Sequence, residues 1–346
     1  MTMPIDRFYI DGSYSISRIM KGGWHLAGGH GKVDVKQAVA DMKEFVEAGI
    51  TTFDCADHYT GVEEMIGQFR QTYPELAKKT QVQTKFVPDL DILPTITRQY
   101  ITGIIDRSLT RLKVDYLDLV QFFWWDWKIP GAIETAQILH DLMKEGKIAR
   151  LGITNFSVPQ LTQLVDANIP FVTNQVQYSL LDRRPERKMV EYCAAHNMYI
   201  LTYGQLAGGF ISEEWLGKPE PAGEMANRSQ IKYKLIIDDF GGWEKFQSLL
   251  KLLQGIGKQY GVGIGEVAVR WVIEQPRVAG SIVGATSTRY LKRNESIFSF
   301  SLSEEDHKRI RQIIGDTPSV PGDCYELEND RTGRHGRIMR YNQNKI

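Results

Sequence analysis

Short apolar runs recur near residues 17–20, 51–54, 81–86, 116–122, 148–153, 171–175, 199–203 and 279–283. Each is too short for a stable helix and is bounded by polar or turn-forming residues, which predicts buried strands. Between them, apolar positions fall at helical spacing in DVKQAVADMKEFVEAG, TRQYITGIIDRSLTRL, IETAQILHDLMKEG, VPQLTQLVDA, ERKMVEYCAAHN and WEKFQSLLKLLQGIGKQY. Several of these close on Gly or Asn, as helix C-termini prefer. Eight strands alternating with helices predict an α/β fold of the (β/α)8 TIM-barrel kind over residues 1–315. A doubly wound sheet is the alternative. Against it, no GxGxxG follows the first strand and opens a helix. Ahead of the barrel, Asp11-Gly12 sits between β-prone runs and predicts a hairpin with a type I′ turn.

Two segments break the rhythm. Residues 205–242 form a long connection after the seventh strand, rich in Gly, Pro and charge, of the kind that makes lids. Residues 316–346 are a polar, basic C-terminal extension, either a free tail or a segment folded back over a site. Composition narrows the function. Lys+Arg and Asp+Glu number 42 each in 346 residues, so nothing global draws the chain to nucleic acid or an acidic membrane. No apolar stretch approaches the ~20 residues of a membrane span, and MTMPIDRFYI lacks the pattern of a signal peptide. The three cysteines, Cys55, Cys193 and Cys324, are widely spaced, which fits reduced thiols and neither a disulfide framework nor a metal site. A cytoplasmic enzyme is expected, and its oligomeric state is not legible.

In such a barrel the chemistry belongs at the C-terminal ends of the strands. Read in order, those ends carry Gly22-Gly23-Trp24, Asp54 with Tyr59 five residues on, Lys85, the aromatic run QFFWWD, Thr154-Asn155, Gln175, Tyr203 and the stretch SIVGAT. A lysine inside an apolar strand is costly unless paired, and Asp54 is the neighbouring carboxylate. A lysine held beside a phenol would lower the Tyr59 pKa from its usual value near ~10 and suit it to protonate an oxyanion. The plainer reading is an ion pair that closes the barrel mouth, with Tyr59 a rim aromatic. Thr154, Asn155 and Gln175 could likewise do no more than satisfy backbone groups.

The set as a whole resembles the aldo-keto reductase superfamily. TTFDCADHYTGVEEMIG resembles its Asp…Tyr stretch, QTKF its lysine strand, LGITNF its GxSNF stretch, NQVQY its NQ(V/I)xY stretch and SIVGATSTRYLKRN its stretch after the eighth strand. Order and spacing agree over residues 8–315. The resemblance implies a nicotinamide coenzyme bound without a Rossmann domain, NADP(H) by family habit over NAD(H). It implies catalytic roles for Tyr59, Lys85 and Asp54. It places Gly23, Trp24, Asp54, Thr154, Asn155, Gln175, Tyr203, Gly204, Gln205, Leu206, Gly208, Gly284, Thr286, Tyr290 and Asn294 at the coenzyme. The implied substrate is a small aldehyde or ketone, or the corresponding alcohol.

Three departures bear on function. The fourth-strand motif resembles D-L-x-x-x-H-W, and Asp118-Leu119-Val120-Gln121-Phe122-Phe123-Trp124 matches it with Phe123 where the histidine belongs. Phenylalanine cannot donate a hydrogen bond, and losing one such donor typically slows a reaction by ~10²–10³. His58 adjoins Tyr59, but sequence neighbours are expected to point apart. The chain therefore reads as a reductase working with Tyr59 alone, as an enzyme of different redox chemistry such as imine or activated C=C reduction, or as a coenzyme-binding sensor. Near the eighth strand, Arg289, Lys292 and Arg293 are either phosphate contacts or solvated helix charges. YGQL stands where the family commonly has YSPL. Trp24, Phe123, Trp124 and Trp125 are expected to wall the substrate pocket, with Lys128, Arg183 and Arg184 as candidate partners for an anionic substrate. Trp215, Trp243 and Tyr325 are expected lid contacts.

Overall fold

The computed structural model describes residues 4–28, 33–223, 225, 227–284 and 287–344. Eight parallel strands close into a barrel: β3 (Ile19–Gly22), β4 (Thr52–Asp54), β5 (Gln81–Phe86), β6 (Leu119–Phe122), β7 (Leu151–Thr154), β8 (Phe171–Gln177), β9 (Tyr199–Tyr203) and β10 (Val278–Gly284), the last pairing back onto β3. They precede or flank helices whose apolar stripes face the strands. Val35–Glu47 buries Ala38, Val39, Met42, Phe45 and Val46 at helical spacing, and Asp34 caps its first turn by accepting the Gln37 N–H. The fold is the (β/α)8 barrel that the periodicity predicts.

An antiparallel hairpin of β1 (Arg7–Tyr9) and β2 (Ser15–Ser17) lies ahead of the barrel. Its turn differs from expectation. It spans residues 10–14, and the Asp11 carboxylate accepts the N–H groups of Ser13 and Tyr14 at 2.7 and 2.8 Å, so a side chain shapes the turn and Gly12 takes no left-handed φ. Ile10, Tyr14 and Ile16 pack with Met20, Leu119, Leu201 and Ala279, residues from the barrel strands. Among the described residues, four helices of more than two turns go beyond the sequence reading: Val62–Thr72, Arg228–Phe240, Ile264–Ile273 and Glu304–Ile314. The second of these lies inside the long connection and begins at Asn227, whose side chain accepts the Gln230 N–H.

The C-terminal extension is tied down along its length. Arg183 donates to the carbonyls of Ile314, Gly315 and Thr317, and Arg187 to those of Pro318 and Val320. Arg184 is buried between Asp182 and Glu328 at 2.7 and 2.9 Å. Arg183 and Arg184 are therefore anchors for the tail and not free cations for a substrate. Farther on, Leu90 N–H donates to Tyr341 O, and the Gln343 and Asn344 N–H groups donate to Asp89. The alternative of a free tail over the last ten residues does not hold for residues through 344; Lys345 and Ile346 lie outside the described residues. Cys55, Cys193 and Cys324 are free thiols, all buried.

Glu328 makes this attachment testable. Burial alone would raise its carboxyl; the charge and hydrogen bonds of Arg184, with Lys232 behind them, overcome that and hold it at about 2. A carboxyl depressed in the folded state stabilises the fold above its unfolded pKa, and that contribution is lost as pH falls toward the folded value. E328Q should therefore cost roughly 3 kcal/mol at pH 7. In urea unfolding, the gap between wild type and variant should narrow steadily from about pH 5 toward pH 2. A gap independent of pH would contradict the assignment.

Candidate active site

The strand ends meet at one mouth of the barrel and enclose a cleft of about 750 Å³. The buried Asp54 carboxylate at the end of β4 is its anchor. One oxygen accepts from Lys85 Nζ on β5 at 2.7 Å, from Gln175 Nε2 on β8 at 2.7 Å and from Gln121 Nε2 on β6 at 3.4 Å. Lys85 also donates to the Cys55 carbonyl at 2.9 Å. The ion pair expected from the lone lysine in an apolar strand is therefore present and wholly buried, both side chains at 5 % exposure.

Tyr59 sits over this pair. Lys85 Nζ lies 5.2 Å from the centre of its ring, and Trp24 meets it edge-on at 5.2 Å. The sequence reading has the lysine lowering the phenol pKa. The opposite holds: burial, then the charges of Asp54, Cys55 and Asp57, push Tyr59 well above its ordinary value. The physical reason is that Lys85 is already neutralised by Asp54 at hydrogen-bond distance, so it offers the phenolate little net charge. Tyr59 keeps its proton at any ordinary pH, which makes it an acid first. His58 does not point away. It lines the cleft with its ring edge-on to Tyr59 at 4.8 Å, and its Nδ1 lies 3.1 Å from Asp57 Oδ1.

Beside these lies a polar shelf. Thr154 Oγ1 donates to the Gln175 carbonyl at 3.1 Å, and Tyr203 Oη donates to Asn155 Oδ1 at 2.7 Å. Asn155 holds a left-handed φ of 62°, a conformation asparagine tolerates better than most residues. With Asn155 Oδ1 and Gln175 Nε2 engaged, the Asn155 amide donor and the Gln175 carbonyl acceptor have no protein partner among the described hydrogen bonds; both residues line the cleft, and such a donor and acceptor complement a carboxamide. Below Tyr203 the chain turns through Gly204 and Gly208, both left-handed. A Cβ at Gly204 would sit 2.3 Å from Tyr233 Oη, and one at Gly208 would sit 2.9 Å from the same ring. The residues present fit a flat amide-bearing ring beside Tyr203, while Gly204 and Gly208 make room for Tyr233. Gln205 is buried and donates to Thr202 Oγ1 at 2.6 Å, so its side chain serves the loop. Leu206, Gly284, Tyr290 and Asn294 line the same cleft. Gly23 donates its N–H to Asp54 O at 2.8 Å. Thr286 lies outside the described residues.

Two groups missing from the sequence reading complete the cleft. Lys232, on the helix Arg228–Phe240, lies 5.1 Å from the Tyr203 ring centre, 5.7 Å from Tyr233 and 5.8 Å from Tyr325. Burial lowers its pKa, and Glu328 opposes that. The apolar spacing of Tyr233, Ile236, Ile237 and Phe240 could have revealed the helix, though not its position over the cleft. Glu213 is the other group. With Glu266 it grips Arg293, at 3.2 Å from Glu213 Oε2 and 2.7 Å from Glu266 Oε2.

The aromatic wall is partly as expected. Phe123 and Trp125 face the cleft, and Tyr325 from the C-terminal extension meets Phe123 edge-on at 5.7 Å. Trp124 does not line it. Neighbouring residues at a strand end alternate in direction, and Trp124 is buried on the outer side with Nε1 donating to the carbonyls of Asp126 and Ile129. Lys128 is exposed outside the cleft. Trp215 and Trp243 pack against Phe210 instead of covering the site.

A sequence model described as the Aldo/keto reductase family matches residues 18–315, and the chain belongs to that family of nicotinamide-dependent oxidoreductases acting on carbonyls. Aldo-keto reductase YhdN of Bacillus subtilis is 28% identical over 320 residues, covering 90% of this chain and 94% of that protein. The NADH-specific methylglyoxal reductase of Escherichia coli is 23% identical over 321 residues, covering 86% of this chain and 95% of that protein. Among solved structures, the glycerol dehydrogenase AKR11B4 from Gluconobacter oxydans superposes with a TM-score of 0.76 at 26% identity, covering 93% of this chain and 98% of that one.

The crowding at Gly204 gives a direct check. G204A should cost ~1–3 kcal/mol in urea unfolding, because it strains a left-handed position and displaces Tyr233. It should also weaken coenzyme binding, read by tryptophan quenching. Wild-type stability in the variant would mean that Tyr233 moves freely.

Proposed function

We propose that this chain reduces an aldehyde or ketone with NAD(P)H, Tyr59 delivering the proton. The observation that carries this reading is the convergence of Tyr59 with the buried Asp54–Lys85 pair beside the open amide groups of Asn155 and Gln175. The nicotinamide coenzyme, when bound, supplies the hydride. Asn155, Gln175 and Thr154 hold its carboxamide, and Tyr203 stacks on its ring. Tyr59 gives its proton to the carbonyl oxygen as the electron pair of the C=O bond moves there. Lys85 and Asp54 stay paired beneath the Tyr59 ring and hold it in place. Because burial holds the phenol high, reduction should proceed at neutral pH, while alcohol oxidation, which needs phenolate, should rise steeply on the alkaline side.

The wall around Tyr59 favours an apolar or aromatic carbonyl. Trp24, Phe123, Trp125 and Tyr325 form it, and Trp125 Nε1 is taken by the Pro88 carbonyl at 2.9 Å. The relatives named for methylglyoxal reduction and glycerol oxidation suggest starting a substrate panel with small carbonyls and polyols.

For the coenzyme, the cleft favours NAD(H), against the family habit. Arg293 is enclosed by Glu213 and Glu266, so a 2′-phosphate would enter beside two carboxylates with one cation between them. Of the other two cations on that stretch, Arg289 donates to Tyr290 Oη and Lys292 is exposed.

Two measurements test this. Y59F should lower carbonyl-dependent coenzyme oxidation by ~10²–10⁴ while coenzyme still quenches tryptophan fluorescence. Tight coenzyme binding with no oxidation of any carbonyl by the wild type would turn the reading toward imine or activated-alkene reduction, or a sensing role. E213Q should shift the NADH-to-NADPH affinity ratio toward NADPH by about tenfold, a value typical of removing one charge near a phosphate. An unchanged ratio would remove Glu213 from coenzyme choice.

A further inference from the structure

The resemblance puts a phenylalanine where the family keeps a hydrogen-bond donor, and the structure puts an oriented imidazole beside Tyr59. We propose that His58, held by Asp57, donates the hydrogen bond to the substrate's carbonyl oxygen that Phe123 cannot make. This rests on the carbonyl-reductase reading above and names a second residue for it.

The geometry that carries the proposal is local. The Asp57 carboxylate is wholly buried. Its Oδ1 accepts the His58 N–H at 2.9 Å and faces His58 Nδ1 at 3.1 Å. The Val87 N–H donates to it at 3.2 Å and Asn344 Nδ2 at 3.4 Å, so a strand end and the C-terminal extension both fix the carboxylate. A carboxylate against Nδ1 fixes the ring and takes the Nδ1–H, so the form that donates from Nε2 is the ring carrying a proton on each nitrogen. His58 lines the cleft, and its ring is 4.8 Å from that of Tyr59. No protein partner holds Nε2 among the described hydrogen bonds. One other aromatic donor near the site, Trp125 Nε1, is used by Pro88 O. Phe123 packs among Val87, Trp125 and Tyr325 and has no donor of its own.

The balance of the step is simple. The hydride goes to the carbonyl carbon, the C=O electron pair goes to oxygen, and the proton comes from Tyr59, which solvent later restores. His58 gives and takes no net proton. It shares its Nε2–H with the oxygen as negative charge develops there, which is where a fixed donor has the most effect.

The test uses the full-length protein with the preferred carbonyl from the panel. H58F should lower kcat by about 10²-fold while coenzyme affinity, read by tryptophan quenching, stays within about twofold. D57N, which keeps the shape but loses the charge behind the ring, should show a smaller loss of the same kind. Adding F123H to H58F should restore at least about tenfold in kcat, because a donor returns to the cleft wall. Turnover in H58F within about threefold of wild type, while Y59F is inactive, would overturn the role of His58 and leave the reductase reading standing. A loss seen only in KM or in coenzyme affinity would overturn it too. Y325F is the comparison: a hundredfold loss there with H58F unaffected would move the donor to Tyr325. If the wild type binds coenzyme but turns over no carbonyl, both readings fall.

Discussion

The Asp54 carboxylate is the point on which the barrel mouth depends. It receives donors from Lys85, Gln121 and Gln175, which stand on three different strands. A buried charge is tolerable only when paired and hydrogen-bonded, so these strand ends have one arrangement that avoids a large desolvation cost. The same contacts set the stage above them. Lys85, drawn to Asp54, presents its ammonium to the face of Tyr59, and Gln175, drawn to Asp54 by its nitrogen, lines the cleft. One carboxylate thus orders both the proposed acid and the proposed coenzyme shelf.

A second charged knot does the same for the lid. Arg184 and Glu328 join the loop after β8 to the C-terminal extension, and Lys232 approaches Glu328 at 3.9 Å from the helix above. Three segments far apart in the chain therefore share one buried network, and breaking it would leave unpaired charge in the interior. Its consequence is that Tyr325, just ahead of Glu328, is held against Phe123 in a left-handed backbone conformation that a bulky residue seldom takes. The extension is part of the cleft wall.

Much of this was legible in the chain. The period of apolar runs marks each barrel strand within a few residues, because strands buried on both faces leave an unbroken apolar signature. Asp54, Tyr59, Lys85, Asn155, Gln175 and Tyr203 could be named from their positions at strand ends, where a barrel collects them. Other assignments depended on direction, which sequence spacing alone handles poorly. Spacing alone puts Trp124 in the pocket and turns His58 away from it; one step of strand alternation buries Trp124 elsewhere, and Asp57 holds the imidazole at the cleft. The Tyr59 phenol was expected to be lowered because the lysine was counted and its neutralisation by Asp54 was not.

What the sequence by itself determined is the order of strands and helices and the set of polar residues that the barrel mouth must hold, since both follow from local patterning and the intolerance of a core for unpaired charge. Only the tertiary structure decided what covers that mouth. Glu328, Lys232 and Arg184 are ordinary surface-type residues in a linear reading, and they meet one another only across more than forty residues of chain. Such a knot leaves no periodic trace, because its energy arises from charges that meet only when the chain has closed.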